Sequence, residues 1–288
     1  MASMHGVVYE IGKVHNQRRL VLLHGAGVPG ELTWTFIANY LNQWNEILII
    51  DFPNMGSSKW RSQKVFPRLS DYSQLICQLL AALDWDDIDI AGYSFGGLVA
   101  ASLVDNDLLK TNGQSEVLCT YAGKINHLFL LEPAMLFSET ASDLELRGAE
   151  YMALAKKIMA KPDDDDAYLY FLDAVSPLRK QSIDADRLTI DRLKSFSTGF
   201  AQAIYAVSRE LSDRSQYLAN WVSPINGASF LGELGVDSMH KRHKRLLNDT
   251  LEHGALWSVN TIRNADHSLV FTRPRLIAKA MNDFYSQH

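Results

Sequence analysis

A serine between two glycines, in the pattern Gly-Tyr-Ser-Phe-Gly at residues 92–96, is the feature of the sequence best suited to chemistry. β-branched residues precede it, and a third glycine, Gly97, and an apolar run of helix-forming residues follow it. At such a strand-to-helix corner the serine hydroxyl is pushed out past the sheet edge, and the glycines avoid collisions with neighbouring elements. The first amides of the helix would point at the space above Ser94, where an oxyanion gains from hydrogen bonds and the helix dipole. The pattern therefore predicts an accessible, reactive serine.

The elements that must position this serine alternate between strand and helix along the first half of the chain. Continuous apolar runs at residues 19–23, 46–51 and 125–131 are typical of strands buried on both faces. Residues 71–83 carry leucine and isoleucine at helical spacing. Alternating strands and helices of these lengths predict an α/β fold with a mostly parallel sheet covered by helices on both faces.

The alternation stops over residues 134–222, where helical patterns dominate and glycine occurs only at Gly148 and Gly199. Strand patterns then resume after this segment. The sequence therefore predicts an α/β core formed by residues 1–133 and 223–288, with an inserted helical cap formed by residues 134–222. A run of four aspartates at residues 163–166 follows Pro162, and we interpret it as a helix N-terminus because acidic residues there offset the helix dipole.

Composition limits the class of protein and of partner. The 288 residues carry a formal net charge of −5, which argues against a nucleic-acid binder. Residues 1–10 lack the apolar core of a secretory signal, and no apolar run reaches transmembrane length, so we expect a cytoplasmic protein. The two cysteines, Cys77 and Cys119, lie in apolar surroundings and are expected to be reduced core residues. Neither a metal nor another cofactor is predicted.

Four motifs in order give the chain its resemblance to a known family. They are His-Gly-Ala-Gly at 24–27, Asp-x-Pro-x-x-Gly-x-Ser at 51–58, the serine pentapeptide, and Asn-Ala-Asp-His at 264–267 after the last strand. Together they resemble the α/β-hydrolase superfamily, in a form with a helical cap. The resemblance spans nearly the whole chain and implies a serine hydrolase, in which a serine attacks an acyl carbonyl, a histidine removes its proton and a carboxylate orients that histidine.

The resemblance also assigns roles to individual residues. Ser94 corresponds to the nucleophile and His267 to the general base. The oxyanion hole would use the backbone amides of Ala26 and Phe95. His24 corresponds to a histidine that braces the loop behind the site, so it is expected to be structural.

The triad carboxylate is where the sequence departs from the family pattern. Family members place it a few residues beyond a strand-ending glycine, in the chain order Ser, Asp or Glu, His. After Gly232 the first aspartate is Asp237, two positions later than expected, and Glu233 lies too early. Glu132, at the end of an earlier core strand, is a third candidate. Asp237 is the first choice, with Glu233 and Glu132 as alternatives.

The substrate is expected to be a small molecule with a hydrophobic acyl group, joined as an ester or thioester. The reason is that some aromatic residues of the cap must face the core domain if the cap covers the serine, which would give a largely apolar pocket. A carbon–carbon bond hydrolase of a diketone is an alternative, and a catalytically silent binding protein of the same fold is another. The aromatic residues of the cap are Tyr151, Tyr168, Tyr170, Phe171, Phe196, Phe200, Tyr205 and Trp221.

Overall fold

The structure is a computed structural model that describes residues 2–10, 17–60, 66–111, 114–115, 121 and 123–287. Its strands are β1 (Ala2–Ser3), β2 (His5–Glu10), β3 (Arg19–Leu23), β4 (Glu46–Asp51), β5 (Lys59–Trp60), β6 (Ile88–Tyr93), β7 (Lys110–Thr111), β8 (Gln114–Ser115), β9 (Ile125–Leu131), β10 (Gly227–Gly232) and β11 (Trp257–Ile262). Its helices are α1 (Gly30–Ala38), α2 (Leu69–Ala82), α3 (Phe95–Val104), α4 (Ala141–Ala160), α5 (Asp165–Val175), α6 (Ile183–Ser195), α7 (Ser197–Asp213), α8 (Ser215–Ala219), α9 (Asp237–Glu252), α10 (Leu269–Thr272) and α11 (Pro274–Gln287), with a 3-10 helix at Asn106–Leu109.

A seven-stranded sheet with the order β11-β10-β9-β6-β3-β4-β2 forms the centre of the fold. Neighbouring strands run parallel throughout, except that β2 is antiparallel to β4. The predicted α/β fold with a mostly parallel sheet is confirmed. Because parallel strands end at the same edge, the residues that follow β6, β9 and β10 all emerge on one side of the sheet.

Strand β3 shows why these apolar runs form buried strands. Val21 and Leu23 point into one hydrophobic cluster together with side chains of α2 and α3, whereas Leu20 and Leu22 point into a second cluster with side chains of α1 and α11. All four residues are fully buried. A strand covered by helices on both faces has no solvent-facing positions, so its sequence is continuously apolar rather than alternating.

Five helices, α4 to α8, connect β9 to β10 and lie within the predicted cap segment, residues 134–222. Helices α4 and α7 pack closely, since a β-carbon at Gly148 would lie 2.4 Å from Ser212 Oγ. The aromatic rings of Tyr168 and Phe171 pack on Phe200, with ring centroids 5.6 and 4.9 Å apart. These contacts give the inserted helices an apolar interior of their own.

The expectation of reduced cysteines is wrong for Cys77, because this residue of α2 is disulfide-bonded. Cys119 lies outside the described residues. Apolar neighbours in a sequence predict burial of a cysteine, but the oxidation state depends on whether a second thiol reaches it in three dimensions. Hydropathy therefore carried no information on this point.

Helix α9 contains two fully buried basic residues, Arg242 and His243. The guanidinium of Arg242 donates from Nη2 to the carbonyl oxygens of Leu218 (3.2 Å) and Trp221 (2.6 Å). His243 is fully buried, and neither ring nitrogen has a hydrogen-bond partner among the described residues. Burial, then the charge of Arg242 and that of His240, lowers the pKa of His243 to about 3. The imidazole is therefore neutral in the folded protein at neutral pH.

Stability is expected to fall on mild acidification, partly through His243. Folding lowers its pKa from an ordinary value of 6.5 to about 3. At a pH between these two values, the unfolded chain binds a proton at this residue and the folded protein does not. The contribution of the neutral His243 to the free energy of unfolding is fully present above pH 6.5. As the pH falls below this value, the free energy of unfolding decreases by about 1.4 kcal/mol per pH unit.

The measurement is urea unfolding of the wild type and of His243→Leu at pH 7 and pH 5. The wild type is expected to lose about 2 kcal/mol more than the variant between these pH values. His24 is unchanged in both proteins, so its own titration cancels in the comparison. An equal loss in both proteins would contradict the burial of a neutral His243.

Candidate active site

Ser94 occupies the corner between β6 and α3, with backbone angles φ 52° and ψ −114°. Glycine is required on both sides of this corner. A β-carbon at Gly92 would lie 2.2 Å from the carbonyl oxygen of Gly96, and one at Gly96 would lie 2.4 Å from that of Leu23. The corner thus presents the serine at the carboxyl edge of the sheet, with 8% of the residue exposed.

His267 lies in the loop between β11 and α10, with its ring between two functional groups. Its Nε2 is 3.1 Å from Ser94 Oγ, and its Nδ1 is 2.8 Å from Glu132 Oε2. The hydroxyl of Tyr93 donates to the backbone carbonyl of His267 (2.8 Å), which fixes the loop. Burial raises the pKa of Tyr93 well above its ordinary value, so this hydroxyl keeps its proton. Two residues that are far apart in sequence, Ser94 and His267, are therefore brought within hydrogen-bond distance.

Glu132, rather than Asp237, is the carboxylate that contacts His267. It directly follows β9, has a positive φ of 40° and is 2% exposed. Its Oε1 accepts a hydrogen bond from the backbone N–H of Gly232 (2.7 Å), while Oε2 faces His267 Nδ1. Both oxygens of the buried carboxylate are engaged, so its position is fixed.

The prediction of Asp237 as the partner of His267 needs correction for a geometric reason. Asp237 is exposed and begins α9. The chain after β10 turns back on itself at once, with the N–H of Leu234 bonded to the carbonyl of Ala265 and that of Gly235 to the carbonyl of Gly232. Strand β9 is the direct neighbour of β6, whereas β10 is one strand further away. A side chain that follows β9 therefore lies nearer to Ser94 than one that follows β10.

Glu233, the other alternative, has a separate place. Its Oε2 accepts a hydrogen bond from the backbone N–H of Asn264 (2.8 Å). This bond braces the loop that carries His267 and is made to the backbone of that loop, not to the imidazole ring. The sequence signal for Glu132 is an acidic residue directly after a buried apolar strand and directly before Pro133. This position places the acid at the carboxyl edge of the sheet, where the serine also lies.

His24 and Asp51 hold the loop that passes over Ser94. His24 Nε2 accepts from the N–H of Phe52 (2.9 Å), and its Nδ1 lies 2.6 Å from the carbonyl oxygen of Gly25. Burial lowers the pKa of His24 to about 4, so the ring is neutral and Nδ1 can donate. The Asp51 carboxylate accepts from the backbone N–H groups of Gly30 and Ser57, both at 2.8 Å. These bonds explain the bracing role expected for His24.

A cavity of about 380 Å³ opens above Ser94, between the core and the inserted helices. Ala26 and Phe95, whose amides were predicted to form an oxyanion hole, both line it together with His267. The N–H of the next residue, Gly27, donates to Met55 Sδ (3.0 Å). The apolar lining includes Pro133, Ala134, Phe137, Leu146, Tyr151, Phe171, Ala174, Val175, Pro177, Ile204, Val207, Val236 and Met239.

A second cavity, of about 340 Å³, also reaches Ser94 and His267. It lies on the side of the histidine loop, and its lining includes Asp266, Ser268, Phe271 and Thr272 from that loop and from α10. Helix α6 and the segment between α5 and α6 form the opposite wall. Ser94 thus lines both cavities, which also share Ala26, Phe171, Val175 and His267.

Comparison with protein families identifies the class. The profile of the alpha/beta hydrolase family matches residues 20–280, and the chain therefore belongs to this family. Comparison with curated proteins found no match.

Solved structures share the fold at low sequence identity. An α/β hydrolase, MGS-M2, from a Medee basin deep-sea metagenome library has a TM-score of 0.71 at 14% identity, covering 100% of this chain and 95% of its own. MenH from S. aureus has a TM-score of 0.67 at 16% identity, covering 98% of each chain. A carboxylesterase from the thaumarchaeon Nitrososphaera gargenis has a TM-score of 0.66 at 14% identity, covering 99% of this chain and 94% of its own.

Among the described residues, no three histidine, cysteine or acidic side chains are grouped so that they could hold a metal ion. Within the same part of the chain, every helix is too short or too polar to cross a membrane.

Proposed function

We propose that the protein is a serine hydrolase that cleaves carboxylic esters or thioesters with an apolar acyl group, through an acyl-enzyme. The observation that carries this proposal is the hydrogen-bonded series of Glu132, His267 and Ser94, with distances of 2.8 and 3.1 Å, at the floor of a largely apolar cavity. Membership of the alpha/beta hydrolase family supports it. One of the similar structures is a carboxylesterase, which agrees with ester cleavage.

In this proposal His267 is the general base. The Glu132 carboxylate can only accept a hydrogen bond, so it selects the tautomer in which Nδ1 carries the proton and Nε2 has its lone pair toward Ser94 Oγ. As Oγ attacks the acyl carbonyl carbon, its proton passes to Nε2. The negative charge of Glu132 then stabilises the imidazolium that forms.

The oxyanion of the tetrahedral intermediate would be bound by the backbone amides of Ala26 and Phe95. The amide of Phe95 opens helix α3, whose dipole favours negative charge at this end. Gly27 is a poorer donor than Ala26 because its N–H is engaged by Met55 Sδ. Each such donor stabilises the transition state by about 3–4 kcal/mol.

Collapse of this intermediate would break the bond between the carbonyl carbon and the leaving oxygen or sulfur. The imidazolium of His267 gives its proton to the leaving group, and the acyl group remains on Ser94. Water then attacks the acyl-enzyme with His267 again as base, which releases the carboxylic acid and restores the serine.

The first cavity suits an uncharged acyl chain because its carboxylates already have partners. Asp143 accepts from Ser138 Oγ (2.6 Å), and Glu150 is paired with Arg147 (3.1 Å). The remaining lining is dominated by aliphatic and aromatic side chains from α4, α5 and α7 as well as from the core. We infer that residues 134–222 act as a cap that covers Ser94 and sets the acyl specificity.

The test is a series of 4-nitrophenyl esters from acetate to octanoate. Each buried methylene gains about 0.8 kcal/mol, so kcat/KM is expected to rise about fourfold per methylene until the chain fills the cavity. The uncatalysed rate of each ester in buffer is the reference. Failure to exceed that rate with every ester would overturn the proposal, and equal kcat/KM for all lengths would overturn the assignment of the apolar cavity to the acyl chain.

A further inference from the structure

The two cavities that meet at Ser94 differ in charge. Among the ionisable residues of the first lining, one is basic (Arg147) and four are acidic (Glu132, Asp143, Glu150 and Asp173). In the second lining, three are basic (Arg179, Lys180 and Arg192) and two are acidic (Asp186 and Asp266). An anion entering from solvent is therefore repelled from the first cavity and attracted to the second.

The basic residues of the second cavity are not equivalent. Arg179 is 9% exposed and is paired through Nη2 with Asp173 (3.0 Å) and Asp186 (3.1 Å), so its charge is already compensated. Lys180 and Arg192 are exposed and line the cavity without a salt-bridge partner among the residues that the structure describes. These two side chains are free to bind an incoming anion.

The chemistry decides which part of a substrate enters this cavity. The leaving group must receive its proton from His267 Nε2, whereas the carbonyl oxygen must face the amides of Ala26 and Phe95. Ala26 and His267 line both cavities, whereas Phe95 lines only the first. The neighbours of His267 that line only the second cavity are Asp266, Ser268, Phe271 and Thr272. A substrate oriented by both requirements places its acyl chain in the first cavity and its leaving group in the second.

We propose that the second cavity selects substrates whose leaving group carries a negative charge, such as a carboxylate, bound by Lys180 and Arg192. This inference rests on the proposed ester hydrolysis and specifies its substrate class. An anion at this position would lie near solvent, so its attraction to the two side chains should weaken as salt is added.

The experiment compares two hexanoyl esters, one of 3-hydroxybenzoate and one of 3-hydroxybenzamide, which differ in charge but hardly in shape. The wild type is expected to favour the anionic ester in kcat/KM by about fivefold at low ionic strength, and less at high salt. In Lys180→Gln/Arg192→Gln this preference should disappear, while kcat/KM for the neutral ester stays within about twofold of wild type.

A matched control removes the same two charges elsewhere. Lys156→Gln/Arg187→Gln changes exposed residues of α4 and α6 that line neither cavity, and it should retain the preference. Equal rates for the two esters in the wild type, or an unchanged preference in Lys180→Gln/Arg192→Gln, would overturn this inference and leave the proposed hydrolase standing. Hydrolysis of neither ester would overturn the proposed function together with this inference.

Discussion

Replacement of Ser94 by alanine is expected to reduce the turnover of activated esters by about 10⁶-fold, to a rate close to that in buffer. The proposed reaction forms a covalent bond at Oγ, and His267 Nε2 faces no other hydroxyl that could take its place within hydrogen-bond distance among the described residues. The same change should abolish labelling by a fluorophosphonate probe, which reacts only with an activated serine. Kinetics and mass spectrometry of the labelled peptide measure the two effects.

Stability and a second serine serve as controls for this result. The Ser94 side chain contributes little packing at its corner, so the melting temperature of Ser94→Ala should stay close to that of the wild type. Ser238 lines the same cavity, and Ser238→Ala should keep both turnover and labelling. Labelling of Ser94→Ala at the wild-type rate would show that the nucleophile lies elsewhere.

Glu132→Gln is expected to lower kcat by two to four orders of magnitude, roughly as in other triads that lose this charge. The glutamine oxygen can still accept the hydrogen bond from the Gly232 N–H, now made to Oε1 at 2.7 Å. The amide nitrogen then faces His267 Nδ1 and donates to it. That interaction selects the tautomer with the proton on Nε2, which cannot accept the proton of Ser94.

Two further substitutions separate this role from the alternatives. Asp237→Asn changes an exposed residue at the start of α9, and Glu233→Gln changes a side chain bonded to the backbone of Asn264. Both variants should keep kcat within about threefold of wild type, because Asp237 is an exposed surface residue and a glutamine at position 233 can still accept the Asn264 N–H bond through its amide oxygen. Loss of activity in Asp237→Asn combined with a nearly silent Glu132→Gln would assign the carboxylate to the loop after β10.

Local sequence patterns are sufficient to predict much of the fold. The continuous apolar run of β3 predicts a strand buried on both faces, and the two clusters on either side of Leu20–Leu23 have that arrangement. The glycines around Ser94 predict a tight corner, and the close approach of Gly96 to the Leu23 carbonyl explains why no side chain fits there. These features depend on residues that are neighbours in the chain, so sequence spacing reports them directly.

The partner of His267 depends on residues that are distant in the chain. Glu132 lies 135 positions from His267, and Ser94 lies 173 positions from it. Counting from Gly232, which ends β10, leads to Asp237, because the count assumes that the loop continues toward the histidine. The order of strands in the sheet, with β9 beside β6, and the immediate turn after β10 decided the matter in favour of Glu132.

From the sequence alone, the α/β class could be predicted and is confirmed, and Ser94 and a histidine after the last strand could be named as candidate site residues. The tertiary structure alone decided which carboxylate faces that histidine, that Cys77 is disulfide-bonded, and that two cavities of different charge meet at the serine. The physical reason is the range of the interactions. Backbone conformation and burial follow from adjacent residues, whereas a hydrogen bond or an electrostatic field in a cavity depends on which distant segments the sheet brings to one edge.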